Sequence, residues 1–151
     1  MSDDTLYPNT STILGSWALL VAQAIDSYGL SSKQIFLDAG VDVEDIKTPN
    51  TRLPTSAMAS VWLQAVKRSN DPYIALRVAK FYKPNTFSTL GLALSVSQHV
   101  YDALQRVSRY SKIIDDSVAT SLKEVNGEVE LTVTPVIAQE TQGYTLGVEA
   151  I

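Results

Sequence analysis

Val118-Ala119-Thr120-Ser121-Leu122-Lys123-Glu124-Val125-Asn126-Gly127-Glu128-Val129-Glu130-Leu131-Thr132-Val133-Thr134 is the stretch that decides the fold class. Upstream of it the apolar residues recur with a helical period; inside it they alternate, as they do on a strand with one buried face. Asn126-Gly127 lies between the two runs and is the strongest short-range signal for a tight β-hairpin. A two-residue turn there pairs Leu122 with Leu131, Thr120 with Val133, and Lys123 with Glu130. The apolar partners then share one face and the Lys–Glu pair takes the other. A lone hairpin is marginal in water, so its apolar face has to pack on helices. The expected class is therefore α+β: a mostly helical domain with an antiparallel hairpin, part of a small sheet, near its C-terminal end.

Working back from the hairpin, Val100 to about Asp115 shows a helical stripe of Ala103, Leu104, Val107, Tyr110 and Ile114. Phe87 to Ser97, rich in Leu, Ala and Ser, predicts a tightly packed helix containing Gly91. Asp71-Pro72 supplies an N-cap carboxylate and a proline for the first turn of another helix, which carries Ile74, Ala75, Val78 and Ala79 and fails by Lys83-Pro84. Thr55 to Ser69 predicts a helix burying Met58, Val61, Trp62, Ala65 and Val66. Val41 to Pro54 is an ordered loop with a helical turn near Val43 to Ile46, and Ser32 to Ala39 a short helix stopped by Gly40. Ser11 to Tyr28 has the apolar spacing of one long helix through Ile13, Trp17, Leu20, Val21 and Ala24, capped by Thr10, Ser11 or Thr12. Beyond Pro135 the pattern weakens, and Tyr144 to Ile151 has the look of a helix just beginning. These readings divide the chain into a flexible 1–10 and one domain over 11–151, incomplete at its C-terminal end.

A chain of 151 residues with 45% apolar and 19% charged side chains has the size and composition of one soluble domain. Its net charge of −4 argues against direct binding to a phosphate backbone. The absence of cysteine excludes disulfides, cysteine-based zinc sites and thiol nucleophiles, and accords with a cytoplasmic location. Met1-Ser2-Asp3-Asp4 is acidic, unlike the start of a signal peptide. Trp17 to Ile25 is far shorter than the roughly 20 apolar residues of a spanning helix, so no membrane role is expected.

Catalytic signatures are sparse. His99 is the single histidine, so a His-based metal cluster is excluded and no metal or cofactor is expected. A small hydrolase using His99, a serine and Asp115 or Asp116 is conceivable, because such triads follow geometry and not chain order. No Gly-x-Ser-x-Gly elbow accompanies it. Asp115-Asp116 could split their pKa values as an acid–base pair, but adjacent acids at a helix-to-strand junction more often point apart into water. Asp38, Asp42, Glu44 and Asp45 lack calcium-loop spacing and read as a solvated face. Gln34 to Val41 imitates the first helix and turn of a DNA reader, but the next residues, Asp42-Val43-Glu44-Asp45, would be repelled by phosphates. That reading is rejected.

Small-molecule pockets are mostly apolar with a few placed polar groups. Trp62, Tyr82, Phe87, Arg106, Arg109 and Tyr110 are the candidate ligand-binding residues on that ground, mixing aromatic and basic character. Plain core is the commoner role for the aromatics, and the two readings stay open at this point.

Several segments in order resemble the N-terminal, arabinose-binding-type domain of AraC-family transcription regulators. They are Phe36-Leu37-Asp38-Ala39-Gly40-Val41, Thr51-Arg52-Leu53-Pro54 before the Trp62 helix, and Asn70-Asp71-Pro72-Tyr73-Ile74-Ala75-Leu76-Arg77. Thr89-Leu90-Gly91-Leu92-Ala93-Leu94-Ser95, then Asp102-Ala103-Leu104 running on to Arg109-Tyr110, and the strand pair complete the set, which spans roughly Leu19 to Val133. Where such proteins often have a Thr before the helix, this one has His99-Val100, a departure that bears on that helix's cap. The resemblance implies an effector-sensing domain without catalysis, able to dimerise, whose DNA contact is made by C-terminal helix-turn-helix units not visible in this sequence. It also implies structural roles for Gly40, Arg52, Pro54, Asp71, Pro72, Gly91, Ala103 and Leu104. The effector is not named by the family, since fold does not determine site chemistry. The alternative is a protein-interaction module that dimerises and binds no small molecule.

Overall fold

In a computed structural model, which describes residues 11–136, the first apolar stripe splits into two elements. Thr12–Leu14 is a short strand, β1, and only from Gly15 does helix α1 (Gly15–Asp26) begin. The single long helix expected from Ser11 is thus corrected at its start. Ile13 is buried, as the helical stripe required, but in strand geometry, and spacing alone does not separate those two ways of burying one residue. β1 pairs antiparallel with β2 (Arg52–Pro54), with Ile13 opposite Leu53. No hydroxyl caps α1; its entry is held instead by backbone bonds, Leu14 N–H to the Ile114 carbonyl at 2.7 Å and Gly15 N–H to the Thr51 carbonyl at 2.7 Å. The expectations for 1–10 and for a helix beginning at Tyr144 lie outside the described residues.

Helix α2 (Ser32–Asp38) starts at Ser31, whose hydroxyl accepts from the Gln34 N–H. A 3₁₀ turn, Asp45–Lys47, follows, and helix α3 (Thr55–Ser69) matches its expected bounds. α3 ends at Asn70 with a φ of 54°, a left-handed cap that Asn tolerates. The segment after Asp71-Pro72 is wound more tightly than expected, as a 3₁₀ helix over Ile74–Phe81. Three residues per turn align Ala75, Val78 and Phe81 on one edge, and Ala75 and Val78 are buried there. Asp71 secures the start: its carboxylate accepts from the Tyr73 N–H at 2.8 Å and from the Tyr28 hydroxyl at 2.5 Å. Arg77 lies over the Tyr28 ring, 4.8 Å from its centre. Asp71 and Arg77 of one sequence segment thus both hold Tyr28, in the turn that follows α1.

The main core lies among α1, α2, α3 and the 74–81 turn, with Phe36, Ile35, Ile25, Val61, Trp62 and Ile74 all nearly solvent-free. Beyond it come a 3₁₀ turn at Pro84–Phe87, helix α4 (Ser88–Ser95) and helix α5 (Val100–Tyr110), which runs into a last 3₁₀ turn, Ser111–Ile113. His99 occupies the cap position of α5 without a side-chain capping bond, as the departure from the family pattern anticipated.

Strands β3 (Val118–Val125) and β4 (Glu128–Pro135) form the hairpin in the expected register, Leu122 opposite Leu131, Thr120 opposite Val133, Lys123 opposite Glu130. Asn126 and Gly127 have φ values of 54° and 80°, the two left-handed residues that a type I′ turn needs. Burial alternates along the first half of β3: Val118 is enclosed, Thr120 and Leu122 half-buried, Ala119 and Ser121 exposed. The inner face sits beside α5, where the Ser108 hydroxyl donates to the Thr120 carbonyl at 3.2 Å and the Thr120 hydroxyl to that of Ser111 at 2.9 Å. Among the described residues this sheet has two strands.

Candidate functional site

Between the α1–α3 core and the α4–α5–hairpin layer lies a partly open cavity of about 290 Å³. Trp17 and Leu20 come from α1, and Val78 and Ala79 from the 74–81 turn. Tyr82 and Phe87 follow, with Leu90 and Leu94 from α4 and Val107 from α5. Ser111, Ile114, Asp115 and Val118 line the remaining side. The aromatic rings form a connected set: Trp17 and Phe87 are 6.0 Å apart between centres, Tyr82 and Phe87 5.7 Å. The described walls are mostly apolar, with hydroxyls on Tyr82 and Ser111 and the carboxyl of Asp115.

Close packing at Gly91 brings the α4 wall up to the Pro84–Phe87 turn. A Cβ placed on Gly91 would stand 2.0 Å from the Pro84 carbonyl oxygen and 3.5 Å from the Tyr82 hydroxyl. The first neighbour is backbone, so the 84–87 turn itself would have to move, carrying Phe87 with it. Gly91→Ala is expected to destabilise the domain by about 1–3 kcal/mol, the usual range for overpacking. Chemical denaturation checks the stability, and a shifted Trp17 emission would report the displaced Phe87.

Asp115 corrects the view of Asp115-Asp116 as two solvated acids. It is only 6% exposed, and its Oδ1 accepts from the Ser117 N–H at 2.8 Å and from the Ser117 hydroxyl. Asp116 does face outward, but it is engaged: Thr12 donates its N–H to Oδ1 at 2.6 Å and its hydroxyl to Oδ2 at 2.9 Å. The two acids part because the chain at Ile114–Asp116 runs alongside β1, with Ile13 bridged to Asp115. In that extended geometry successive side chains point to opposite faces.

Burial raises the Asp115 pKa, against the bonds from Ser117 that lower it. A carboxyl whose folded pKa is raised binds protons more readily in the native state, so its ionisation subtracts stability as pH climbs from the unfolded to the folded pKa. Asp115→Asn keeps an acceptor for Ser117 and removes that penalty. The variant is therefore expected to gain stability relative to the parent at neutral pH, and the difference to vanish below about pH 3.9, the ordinary Asp value. Urea midpoints across pH 3.5 to 7.5 (an approximate range bracketing that value) check this. Asp71 runs the other way. The Tyr28 hydroxyl and then the Tyr73 N–H lower its pKa, so its contribution is present above the ordinary Asp pKa and lost as pH falls through the folded one.

The structure distributes the sequence-derived candidates over several places. Tyr82 and Phe87 line the cavity. Trp62 is 2% exposed in the main core and is not one of the lining residues. Arg106 braces α5 against the end of α4, donating to the Ala93 carbonyl at 2.8 Å and to the Ser97 hydroxyl. Arg109 lines a shallow polar groove with Tyr101, Gln105, Ser108 and Leu122, while Tyr110 is largely exposed. Sequence reasoning did not assign Trp17, Leu90, Leu94, Val107 or Asp115 to a pocket. The apolar four carry the same periodicity as core residues. Asp115 had one available signal, an acid directly following the Ile113-Ile114 pair and preceding a strand.

Among the described residues no cluster of three or more potential ligands could hold a metal ion, and no helix is long and apolar enough to cross a membrane. A comparison with curated proteins finds no match. A family model does match: the arabinose-binding domain of AraC transcription regulator, N-term, over residues 29–149 of the 151. That span takes in α2, α3, the cavity-lining turns, α4, α5 and the hairpin, so the chain belongs to the family of N-terminal arabinose-binding domains of AraC transcription regulators.

Proposed function

We propose that the cavity is an effector site, and that residues 11–151 act in the cytoplasm as the ligand-sensing unit of an AraC-type transcription regulator. The family is a non-catalytic, ligand-binding one, so the cavity is read as a place to hold a molecule and not to transform it. The observation that carries the reading is the mainly apolar cavity with three polar groups on its wall, the usual make-up of a small-molecule site. Its position suits a switch. Trp17 and Val78 belong to the main core, while Leu94, Val107 and Val118 belong to the α4–α5–hairpin layer. A ligand touching both would favour one spacing of the layers, and differential affinity for two arrangements is what any such switch requires. The output to DNA would run through the C-terminal units of the regulator, since this domain carries a net charge of −4.

A thermal-shift screen of the full chain against amino acids, polyamines, sugars, fatty acids and apolar amines tests the proposal. A ligand of the folded state at a hundred times its Kd adds about 2.7 kcal/mol. For a chain of this size that is a rise of roughly 5–10 °C. A saturable rise supports the reading; a flat response across the panel overturns it.

A second reading, dimerisation, has its own observation. Leu92, Val96 and Val100 are 56%, 74% and 77% exposed along the α4–α5 connection. Exposed apolar patches mark interaction surfaces. Sedimentation of the parent and of Val96→Lys distinguishes a dimer broken by the charge from a chain that is monomeric throughout.

A further inference from the structure

We infer that the cavity selects a cationic amine carried on an apolar body of about a dozen non-hydrogen atoms, with Asp115 as the partner of the ammonium group. The inference rests on the effector-site reading above and specifies the class of molecule. Size comes from the volume. A dry apolar cavity of about 150 Å³ holds benzene, so about 290 Å³ accommodates roughly twice that bulk.

The sign of the charge comes from the wall. Among the described lining residues there is no Lys, Arg or His, and the carboxyl there is that of Asp115. Both bonds from Ser117 go to its Oδ1, and no described residue donates to Oδ2. Arg52, whose charge acts on Asp115, donates to the Thr12 hydroxyl, the Thr12 carbonyl and the Ile113 carbonyl, and pairs with Asp116 at 3.6 Å; it does not line the cavity. A ligand carboxylate or phosphate would therefore enter an apolar space beside a like charge and without a counter-charge, the costliest arrangement for an ion. An ammonium group meets the opposite case. It supplies donors to an oxygen to which no described residue donates, and pairing relieves the burial of Asp115. Trp17, Tyr82 and Phe87 line the same cavity, and aromatic rings are tolerant neighbours for a cation. The Tyr82 hydroxyl lines the same cavity, and Ser111, whose hydroxyl already accepts from Thr120, keeps its own proton to donate to a second polar substituent.

Three probes of one shape test this: 4-phenylbutylamine, 4-phenylbutanol and 4-phenylbutanoate, titrated calorimetrically into the full chain at neutral pH. The expected order is amine, then alcohol, then carboxylate, with the amine at least ten-fold tighter than the carboxylate. In Asp115→Asn the amine should weaken ten-fold or more, to the level of the alcohol, while the alcohol changes less than two-fold. The ranking on the parent chain stands by itself should the variant fold poorly. Equal binding of all three, or a carboxylate that binds best, overturns the amine assignment and leaves the cavity as an effector site. Failure of all three to bind overturns the amine assignment, and the effector-site reading is then judged by the broader screen.

Discussion

Trp62→Ala is expected to lower the stability of the domain by about 3–5 kcal/mol, the range for removing a large aromatic from a close-packed core. Trp62 is 2% exposed and belongs to the cluster that also contains Phe36, Val61 and Ile74. Alanine would leave a void among side chains drawn from several elements, which cannot all collapse into it. The midpoint of thermal unfolding should fall by roughly 10 °C. Trp62→Phe retains most of the buried surface and should cost far less. Because Trp62 does not line the cavity, Trp62→Phe is also expected to leave ligand affinity within two-fold (about 0.4 kcal/mol). Urea denaturation measures the first effect and titration the second. A loss of less than about 1 kcal/mol in Trp62→Ala would contradict the packing described here.

Arg52→Ala is expected to cost about 2–3 kcal/mol, for a different reason. The guanidinium donates to the Thr12 hydroxyl at 2.7 Å, the Ile113 carbonyl at 2.6 Å and the Thr12 carbonyl at 2.9 Å. Hydrogen bonds from a charged donor are each worth about 1.5–3 kcal/mol when buried. The side chain is 31% exposed, so solvent screening brings the sum well below three full bonds. What Arg52 fastens is the junction of β1, β2 and the segment at Ile113–Asp116, which places Asp115 on the cavity wall. Arg52→Lys keeps the charge but lacks the planar fork, and should recover less than half of the loss. Chemical denaturation of the two variants checks both figures. Equal stability of Arg52→Lys and the parent would show that charge alone matters at this position.

The part of the fold written in local pattern was legible from sequence. The hairpin register followed from Asn126-Gly127 and from the pairing of Leu122 with Leu131, because alternation and turn chemistry both act within a few residues. The bounds of α3 followed from an unbroken helical stripe between Pro54 and Asn70. The β1–β2 pair did not follow, because three residues are too short to show a period and their partners lie some forty positions away in the chain. Arg52 was recognisable as part of a segment, but its role depends on Thr12 and Ile113, which only the tertiary structure brings together.

The candidate site was legible only in part. Tyr82 and Phe87 stand out as aromatics between helices, and both reach the cavity. Trp17, Leu90, Leu94 and Val107 give the same signal as any core residue, since a pocket wall is a core face whose partner is missing. Arg106 and Arg109 were drawn in by charge, yet one caps the end of α4 and the other lines a separate groove. Adjacent acids such as Asp115 and Asp116 are usually solvated, and sequence alone gives no reason to except Asp115. Its burial follows from the extended run beside β1, which no short-range pattern announces.

If the cavity holds the effector, filling it must abolish binding. Leu94 lines the cavity from α4, and Leu94→Trp adds bulk where there is space to receive it. The variant is expected to fold with a stability near the parent's and to lose at least ten-fold in affinity for 4-phenylbutylamine, or for whichever ligand the screen identifies. A folded Leu94→Trp that binds the ligand as tightly as the parent would contradict the effector-site reading.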